Sequence, residues 1–357
     1  MNKDSKIYVA GHLGLVGSAI WNNLKMKGYT NLIGKSIKEL DLMDGASVAR
    51  FFEEEKPEYV FLAAAHVGGI VANNVYRADF IYRNLQIQNN VIGESYKYGV
   101  KKLLFLGSTC IYPKEAPQPM SEDALLTSPL EYTNEPYAIA KIAGLKMCES
   151  FNIQYGTNFI AVMPTNLYGP NDNFDLEKSH VLPAMIRKIY LADCLKNNKW
   201  DAIIKDMNKR PVEGVSGQNS KDEIIEKLSK YGITSQSVNL WGTGKPMREF
   251  LWSEEMADAC VFVMENVDFE DLKQGKTEIR NCHINIGTGK EISIADLANL
   301  VKTTISYSGE IKFDTTKPDG TMRKLIDVSK LNSLGWKHKI EIEEGVKKLY
   351  DWYVKNL

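Results

Sequence analysis

Short apolar runs alternate with longer stretches of helical spacing through the first half of the chain. Ile7-Tyr8-Val9-Ala10 reads as a buried strand. A glycine-rich turn, Gly11-His12-Leu13-Gly14-Leu15-Val16-Gly17, follows at once, and Ser18 to Leu24 then has helical spacing. Asn31-Leu32-Ile33-Gly34 reads as a second strand. A helix is expected over about Ala46 to Lys56, ended by Pro57, then a third buried strand over Glu58 to Ala65. A long helix from about Asp79 to Tyr98 leads to a fourth strand, Lys102 to Gly107. A helix carrying Tyr137 runs to about Tyr155, and Phe159 to Met163 is a fifth strand ended by Pro164. This rhythm predicts an α/β fold with a doubly wound parallel sheet. Right-handed crossovers then bring Gly11, Ser108 and Pro164 to one carboxyl edge of the sheet, where ligands bind.

Beyond Pro170 the pattern loosens. The stretch from about Asn197 to Ser237 is polar and holds one amphipathic helix candidate, Asp222 to Tyr231. It reads as an excursion, either a lid or interface or a passive surface insertion. Val238 to Trp241, Glu249 to Trp252 and His283 to Ile286 look like strands; helices are expected to start at Ser253 and to span Ser293 to Ile305. The expected division is a nucleotide-binding domain over 1–170 plus about 238–266, a smaller mixed C-terminal substrate region over 171–196 and about 267–357, and the insertion 197–237.

The 357 residues suffice for one large core or two domains. Net charge is −1, from 44 basic and 45 acidic residues, which gives no reason to expect nucleic acid or a membrane surface as partner. No apolar run is long enough to span a bilayer. The five cysteines include no C-x-x-C pair and the histidines no H-E-x-x-H spacing, so neither a disulfide framework nor a metal site is expected. The chain opens straight into a strand without a signal-peptide pattern, and a reducing cytoplasm is the expected home.

Strand, glycine turn, helix is the context a dinucleotide fingerprint needs, which makes the fold Rossmann-type. Gly11 permits the tight turn, Gly14 lets the backbone approach a pyrophosphate, and Gly17 lets helix and strand pack closely. The pyrophosphate would sit on the helix N-terminal N–H groups. Strand two ends in Lys35-Ser36 where an NAD site usually has an acidic residue, so a 2′-phosphate and NADPH are expected; Asp41 and Leu42 come within reach of the adenine. Tyr137 and Lys141 lie one helical turn apart and point the same way. The ammonium is expected to lower the phenol pKa, so that Tyr137 exchanges a proton with a carbonyl or alcohol. Ser108 and Cys110, at the end of strand four, add a hydrogen-bond donor and a second proton-transfer group.

These residues together resemble the GDP-L-fucose synthase family of extended short-chain dehydrogenases/reductases. The similarity covers nearly the whole chain. It is carried by the Gly11–Gly17 turn, Val67 to Asn74, Gly107-Ser108-Thr109-Cys110-Ile111-Tyr112-Pro113, Asn134 to Lys141 and Met163 to Pro170. Ser179-His180-Val181, Pro246 to Leu251 and Lys317-Pro318-Asp319-Gly320 complete it. Such enzymes invert C3 and C5 of a GDP-4-keto-6-deoxy-mannose and reduce its C4 ketone with NADPH. The resemblance implies Cys110 as base and His180 as acid in the epimerisations. It implies Tyr137 as proton donor to O4, Lys141 as orienter of the nicotinamide ribose, and Ser108 as hydrogen-bond donor to O4. It extends the cofactor set to Leu106, Gly107, Pro164, Thr165, Asn166, Leu167 and His180. Lys188, Trp241, Arg248 and Asp319 are implied for the GDP-sugar, with Arg187 and Arg323 as weaker candidates. It also implies a homodimer through the Tyr137 helix and the long helix before it.

The chemistry is coherent on its own terms. A 4-keto group acidifies the neighbouring C–H bonds, and inversion needs a base on one face and an acid on the other. Thiol and imidazole reference pKa values of about 8.5 and 6.5 suit both roles. A 4,6-dehydratase needs an acid/base pair after the Ser/Thr, and Cys110-Ile111 stands there instead. A related GDP-keto-heptose enzyme and a catalytically silent NADPH-binding regulator stay open. Leu13 and His66 depart from the family pattern, which has Arg and often Lys at those places.

Overall fold

The computed structural model describes residues 1–357, except for the side chains of Ile70 and Val71. The chain forms two compact units. One comprises 1–167, 250–289 and 325–339; the other comprises 168–249, 290–324 and 340–357.

The first unit is built on six parallel strands: β1 (Ile7–Ala10), β2 (Leu32–Ile33), β3 (Tyr59–Leu62), β4 (Lys102–Leu106), β5 (Phe159–Pro164) and β6 (Ile284–Ile286), in the order β6-β5-β4-β3-β1-β2. Alternation along each strand sorts side chains onto two faces. Ile7, Val9, Phe61, Leu104, Leu106, Ile160, Val162, Ile284 and Ile286 share one core with Ile20 and Leu24 of the helix Leu15–Met26 and Met256 and Cys260 of the helix Ser253–Asn266. Tyr8, Ala10, Val60, Leu62, Leu103, Phe105, Phe159 and Met163 face a second core with Phe52, Val91 and Leu145, from the helices Gly45–Glu55, Arg77–Lys97 and Glu135–Tyr155. Both faces are covered, as a parallel sheet requires. The chain turns first to β2 and then, across β1, to β3. The carboxyl ends of β1 and β3 therefore flank the topological switch point.

The second unit pairs the strands Ser237–Trp241 and Glu310–Asp314 in parallel and Met247–Arg248 with Ile292–Ser293 antiparallel. Its helices include Val181–Lys196, Trp200–Lys209, Lys221–Lys230, Ile294–Ile305 and Ile342–Lys355.

The doubly wound sheet is as expected. β6 lies in the stretch assigned to the substrate region, yet it pairs with β5 and completes the first sheet. Residues 238–249 go with the second unit, because their strand pairs with Glu310–Asp314. Residues 197–237 hold two helices rather than one, and Ile203, Met207, Ile224, Leu228 and Ile233 are all buried. The strand Glu310–Asp314 and the C-terminal helix Ile342–Lys355 were likewise not expected.

Candidate active site

In the first unit the glycine turn is built to admit a ligand. Gly11 has φ +85°, and a Cβ there would stand 2.8 Å from the Ala64 backbone nitrogen. A Cβ on Gly17 would lie 2.0 Å from the Gly11 carbonyl oxygen, so any side chain would drive the helix off the turn. Gly14 caps the helix with no side-chain hydrogen bond, and no acidic residue stands in the first turn. The helix N-terminus thus offers backbone N–H groups and positive dipole outward, which fits a pyrophosphate. Leu13 is exposed, and Leu15 and Val16 start the helix. His12 turns inward: its ring packs over Gly34 and beside Trp21, with Nδ1 buried and unpartnered.

Past β2, Lys35 is half-buried. The neighbouring Ser36 is occupied: its N–H and hydroxyl donate to Glu39 Oε2 at 2.8 and 2.6 Å. These bonds hold the Glu39 carboxyl below the usual range. Ser36 is therefore not the open phosphate donor the sequence suggests. Asp41 accepts from the Met43 N–H at 2.9 Å, and the Leu42 carbonyl accepts from Asn90 at 2.8 Å, which fixes this loop.

At the end of β4, the Gly107 N–H donates to the Val162 carbonyl at 2.8 Å, and a Cβ on Gly107 would strike Met163. Ser108 is extended and caps the short helical turn Thr109–Ile111: its Oγ accepts the Cys110 N–H at 3.3 Å. The hydroxyl proton of Ser108 remains available to donate. Cys110 is 6% exposed. None of the cysteines is in a disulfide. Thr165, Asn166 and Leu167 follow Pro164, the last residue of β5, with the Thr165 N–H donating to the Ile286 carbonyl at 3.0 Å.

Tyr137 and Lys141 lie on the helix Glu135–Tyr155, which carries Pro136 in its first turn and ends at Gly156 with φ +67°. Gly144 seats this helix against β4, since a Cβ there would meet Phe105 at 2.4 Å. Gln88 donates to the Ala140 carbonyl at 2.7 Å and ties it to the long helix. Lys141 is buried and donates to the Leu106 carbonyl at 2.8 Å. Cys110 interacts electrostatically with both Tyr137 and Lys141, which puts the three together near the end of β4.

One expectation is corrected. The Tyr137 phenol stands above, not below, its ordinary value. Desolvation, and next the electrostatic effect of Cys110, push the phenol up, while burial pulls Lys141 down to about 8. The ammonium stands 5.7 Å from the phenol ring centroid and spends a donor on Leu106. Three residues before Tyr137, the buried Asn134 Oδ1 has no hydrogen-bond partner, an acceptor the sequence reading passed over.

In the second unit, His180 caps the helix Val181–Lys196 without a side-chain cap bond. Its residue reaches solvent, yet desolvation lowers the imidazole pKa. The helix N-terminus, which disfavours a cation, works in the same direction. Lys188 donates to the Tyr231 carbonyl at 2.9 Å, and burial lowers it to about 8. Trp241 is 64% exposed, with Lys317 over its ring at 5.8 Å. Arg248 donates to the Met247 and Thr321 carbonyls at 2.7 and 2.6 Å. Asp319 accepts the Thr243 N–H and hydroxyl at 2.8 and 2.7 Å, and Arg248 acts on its charge. Trp241, Arg248 and Asp319 thus gather on one side of this unit.

Arg187 does not belong with them. It is fully buried and paired with Asp206 at 2.8 Å, inside a cluster that includes Tyr353 and Arg210. Arg323 pairs with Glu291. A residue the sequence reading missed is Asp172, whose carboxyl is pushed up to about 7 by burial and whose Oδ2 has no partner. Among the described residues no cluster is suited to a metal ion, and no helix is long and apolar enough to cross a membrane.

The NAD dependent epimerase/dehydratase family model matches residues 7–206 and 207–287. GDP-L-fucose synthase 1 of Arabidopsis thaliana is 50% identical over 100% of this chain and 95% of its own length. GDP-L-fucose synthase of Escherichia coli K12 is 45% identical, over 98% and 97%. Among solved structures, a GDP-mannoheptose C4 reductase of Campylobacter jejuni with NADP bound matches at a TM-score of 0.88 and 48% identity, covering 99% of each chain. The chain belongs to the NAD dependent epimerase/dehydratase family and, within it, to the GDP-L-fucose synthase group.

Proposed function

We propose that this chain is an enzyme that converts GDP-4-keto-6-deoxy-D-mannose to GDP-L-fucose, by C3 and C5 epimerisation and NADPH-dependent reduction at C4. The observation that carries this reading is the grouping of Ser108, Cys110, Tyr137 and Lys141 around the end of β4, in a chain about half identical to GDP-L-fucose synthases along its whole length.

Bound NADPH would supply the hydride for C4; the Gly11–Gly17 turn and helix N-terminus would hold its pyrophosphate, and Lys35 would pair with its 2′-phosphate. Cys110 removes the C3 and C5 protons, and the resemblance assigns the opposite-face protons to His180. While a proton is off the carbon, negative charge gathers on O4. Ser108 and Tyr137 donate hydrogen bonds to it there. In the reduction, Tyr137 passes its proton to O4; its raised pKa keeps the phenol protonated until the oxygen becomes basic. Lys141 would hold the nicotinamide ribose with the donors that Leu106 leaves over. In the second unit, Lys188 and Arg248 bind the diphosphate and ribose, and Trp241 offers a flat face.

The enzyme acts as a homodimer. Tyr82, Tyr96, Ile139, Ile153 and Tyr155 are exposed on the helices Arg77–Lys97 and Glu135–Tyr155, an apolar face suited to a second copy. Its balanced charge and reduced cysteines suit the cytoplasm.

The 48% identity to the heptose reductase favours a second reading, a GDP-4-keto-heptose as substrate. Steady-state kcat/KM for NADPH oxidation with each keto sugar separates them. A higher value for the 6-deoxy hexose supports the first reading, and a higher value for the heptose replaces it. No oxidation with either would revive the regulator.

A further inference from the structure

Lys188 depends on a carbonyl supplied by the segment 197–237. Tyr231, which accepts from its ammonium, is the C-cap of the helix Lys221–Lys230. A half-buried ammonium held below its ordinary pKa needs such a partner to stay charged.

Tyr231 is itself held from two sides. On one side, Gly232 has φ +75°, its carbonyl accepts the Asn239 N–H at 2.7 Å, and a Cβ there would stand 2.8 Å from the Asn239 Cβ. On the other, the Tyr231 hydroxyl donates to Glu213 Oε1 at 2.9 Å. Lys227 and Lys230, from the same helix, reach that carboxylate at 2.7 Å each. Three donors on one carboxylate hold Glu213 down to about 2, charged at any working pH.

Glu213 occupies an unusual place. Val212 and Val215 exchange both backbone hydrogen bonds at 2.9 Å around a two-residue turn, with φ +46° at Glu213 and +80° at Gly214. Positive φ at both central positions marks a type I′ turn, which favours Asn, Asp or Gly at the first. A glutamate there costs backbone energy without helping the turn. Its reach to Lys227, Lys230 and Tyr231 explains its presence.

We propose that Glu213 is a positioning residue for the nucleotide: by fixing Tyr231 it sets the carbonyl that aims Lys188 at the substrate diphosphate. The inference deepens the proposed function and rests on its assignment of Lys188 to the GDP moiety.

The test measures GDP binding by calorimetry on the NADPH-loaded full chain. Glu213→Asn suits the turn but is too short to gather the three donors. It is expected to weaken GDP about threefold to tenfold. NADPH affinity and Tm are expected to stay at wild-type values or, for Tm, to rise. Lys188→Met is expected to weaken GDP at least as much, and adding Glu213→Asn to it is expected to change nothing further. Wild-type GDP affinity in Glu213→Asn, or losses that add in the double variant, overturns the inference and leaves the nucleotide reading of Lys188 intact. Wild-type affinity in Lys188→Met overturns that reading and the inference with it.

Discussion

The Lys141 ammonium donates to the Leu106 carbonyl at 2.8 Å, which ties the helix bearing Tyr137 to the last residue of β4. Burial holds this lysine at about 8, below its ordinary value. It is therefore cationic below that pH and discharges above it. NADPH affinity is expected to be constant up to about pH 8 and to decline beyond it, by about tenfold when the charge is lost. Fluorescence titration of NADPH from pH 6.5 to 10 checks this, and Lys141→Met is expected to bind weakly with no such decline.

Gly17→Ala places a methyl group where the Gly11 carbonyl oxygen stands. Overpacking of this kind costs about 1–3 kcal/mol, here concentrated on the cofactor turn. Thermal denaturation is expected to give a lower Tm, and NADPH titration a loss of at least about tenfold.

Glu39 sits close enough to Lys35 for their charges to interact, and it occupies both Ser36 donors. A carboxylate there opposes a 2′-phosphate. Glu39→Gln is expected to tighten NADPH by about twofold to fivefold, an effect that fades with salt. Lys35→Asp is expected to shift preference toward NADH. Unchanged ratios of the two cofactor affinities would remove Lys35 from the 2′-phosphate site.

The buried pair Arg187–Asp206 is structural. Asp206→Ala leaves the Arg187 cation unpaired in the core and is expected to cost about 3–5 kcal/mol in urea unfolding. Arg187→Met is expected to lower stability while KM for the GDP-sugar in the folded fraction stays near wild type.

Much of this was legible in the chain, and the gaps have physical causes. The Ile7–Ala10 run, the glycine turn and the following apolar spacing declare strand, turn and helix locally, because each signal lies within one element. The allegiance of β6 was not legible: its partner β5 lies more than a hundred residues upstream, and pairing leaves no mark in a three-residue strand, Ile284-Asn285-Ile286. The helix Trp200–Lys209 was hidden by its polar face, although Trp200, Ile203, Ile204 and Met207 have helical spacing. Tyr137 and Lys141 were found as a pair, but the Leu106 carbonyl that draws the ammonium away is backbone, which no side-chain motif records. Arg187 read as a ligand candidate because a buried arginine and a binding arginine look alike until Asp206 is located.

The most direct measurement of the central claim runs the reaction on GDP-4-keto-6-deoxy-D-mannose with NADPH in heavy water, comparing wild type, Cys110→Ser and Tyr137→Phe. The account predicts NADPH oxidation by wild type with deuterium at C3 and C5 of the product. It predicts that Cys110→Ser loses exchange more than reduction and that Tyr137→Phe loses reduction more than exchange. Reduction by wild type without deuterium uptake, or equal loss of both activities in Cys110→Ser, would contradict it.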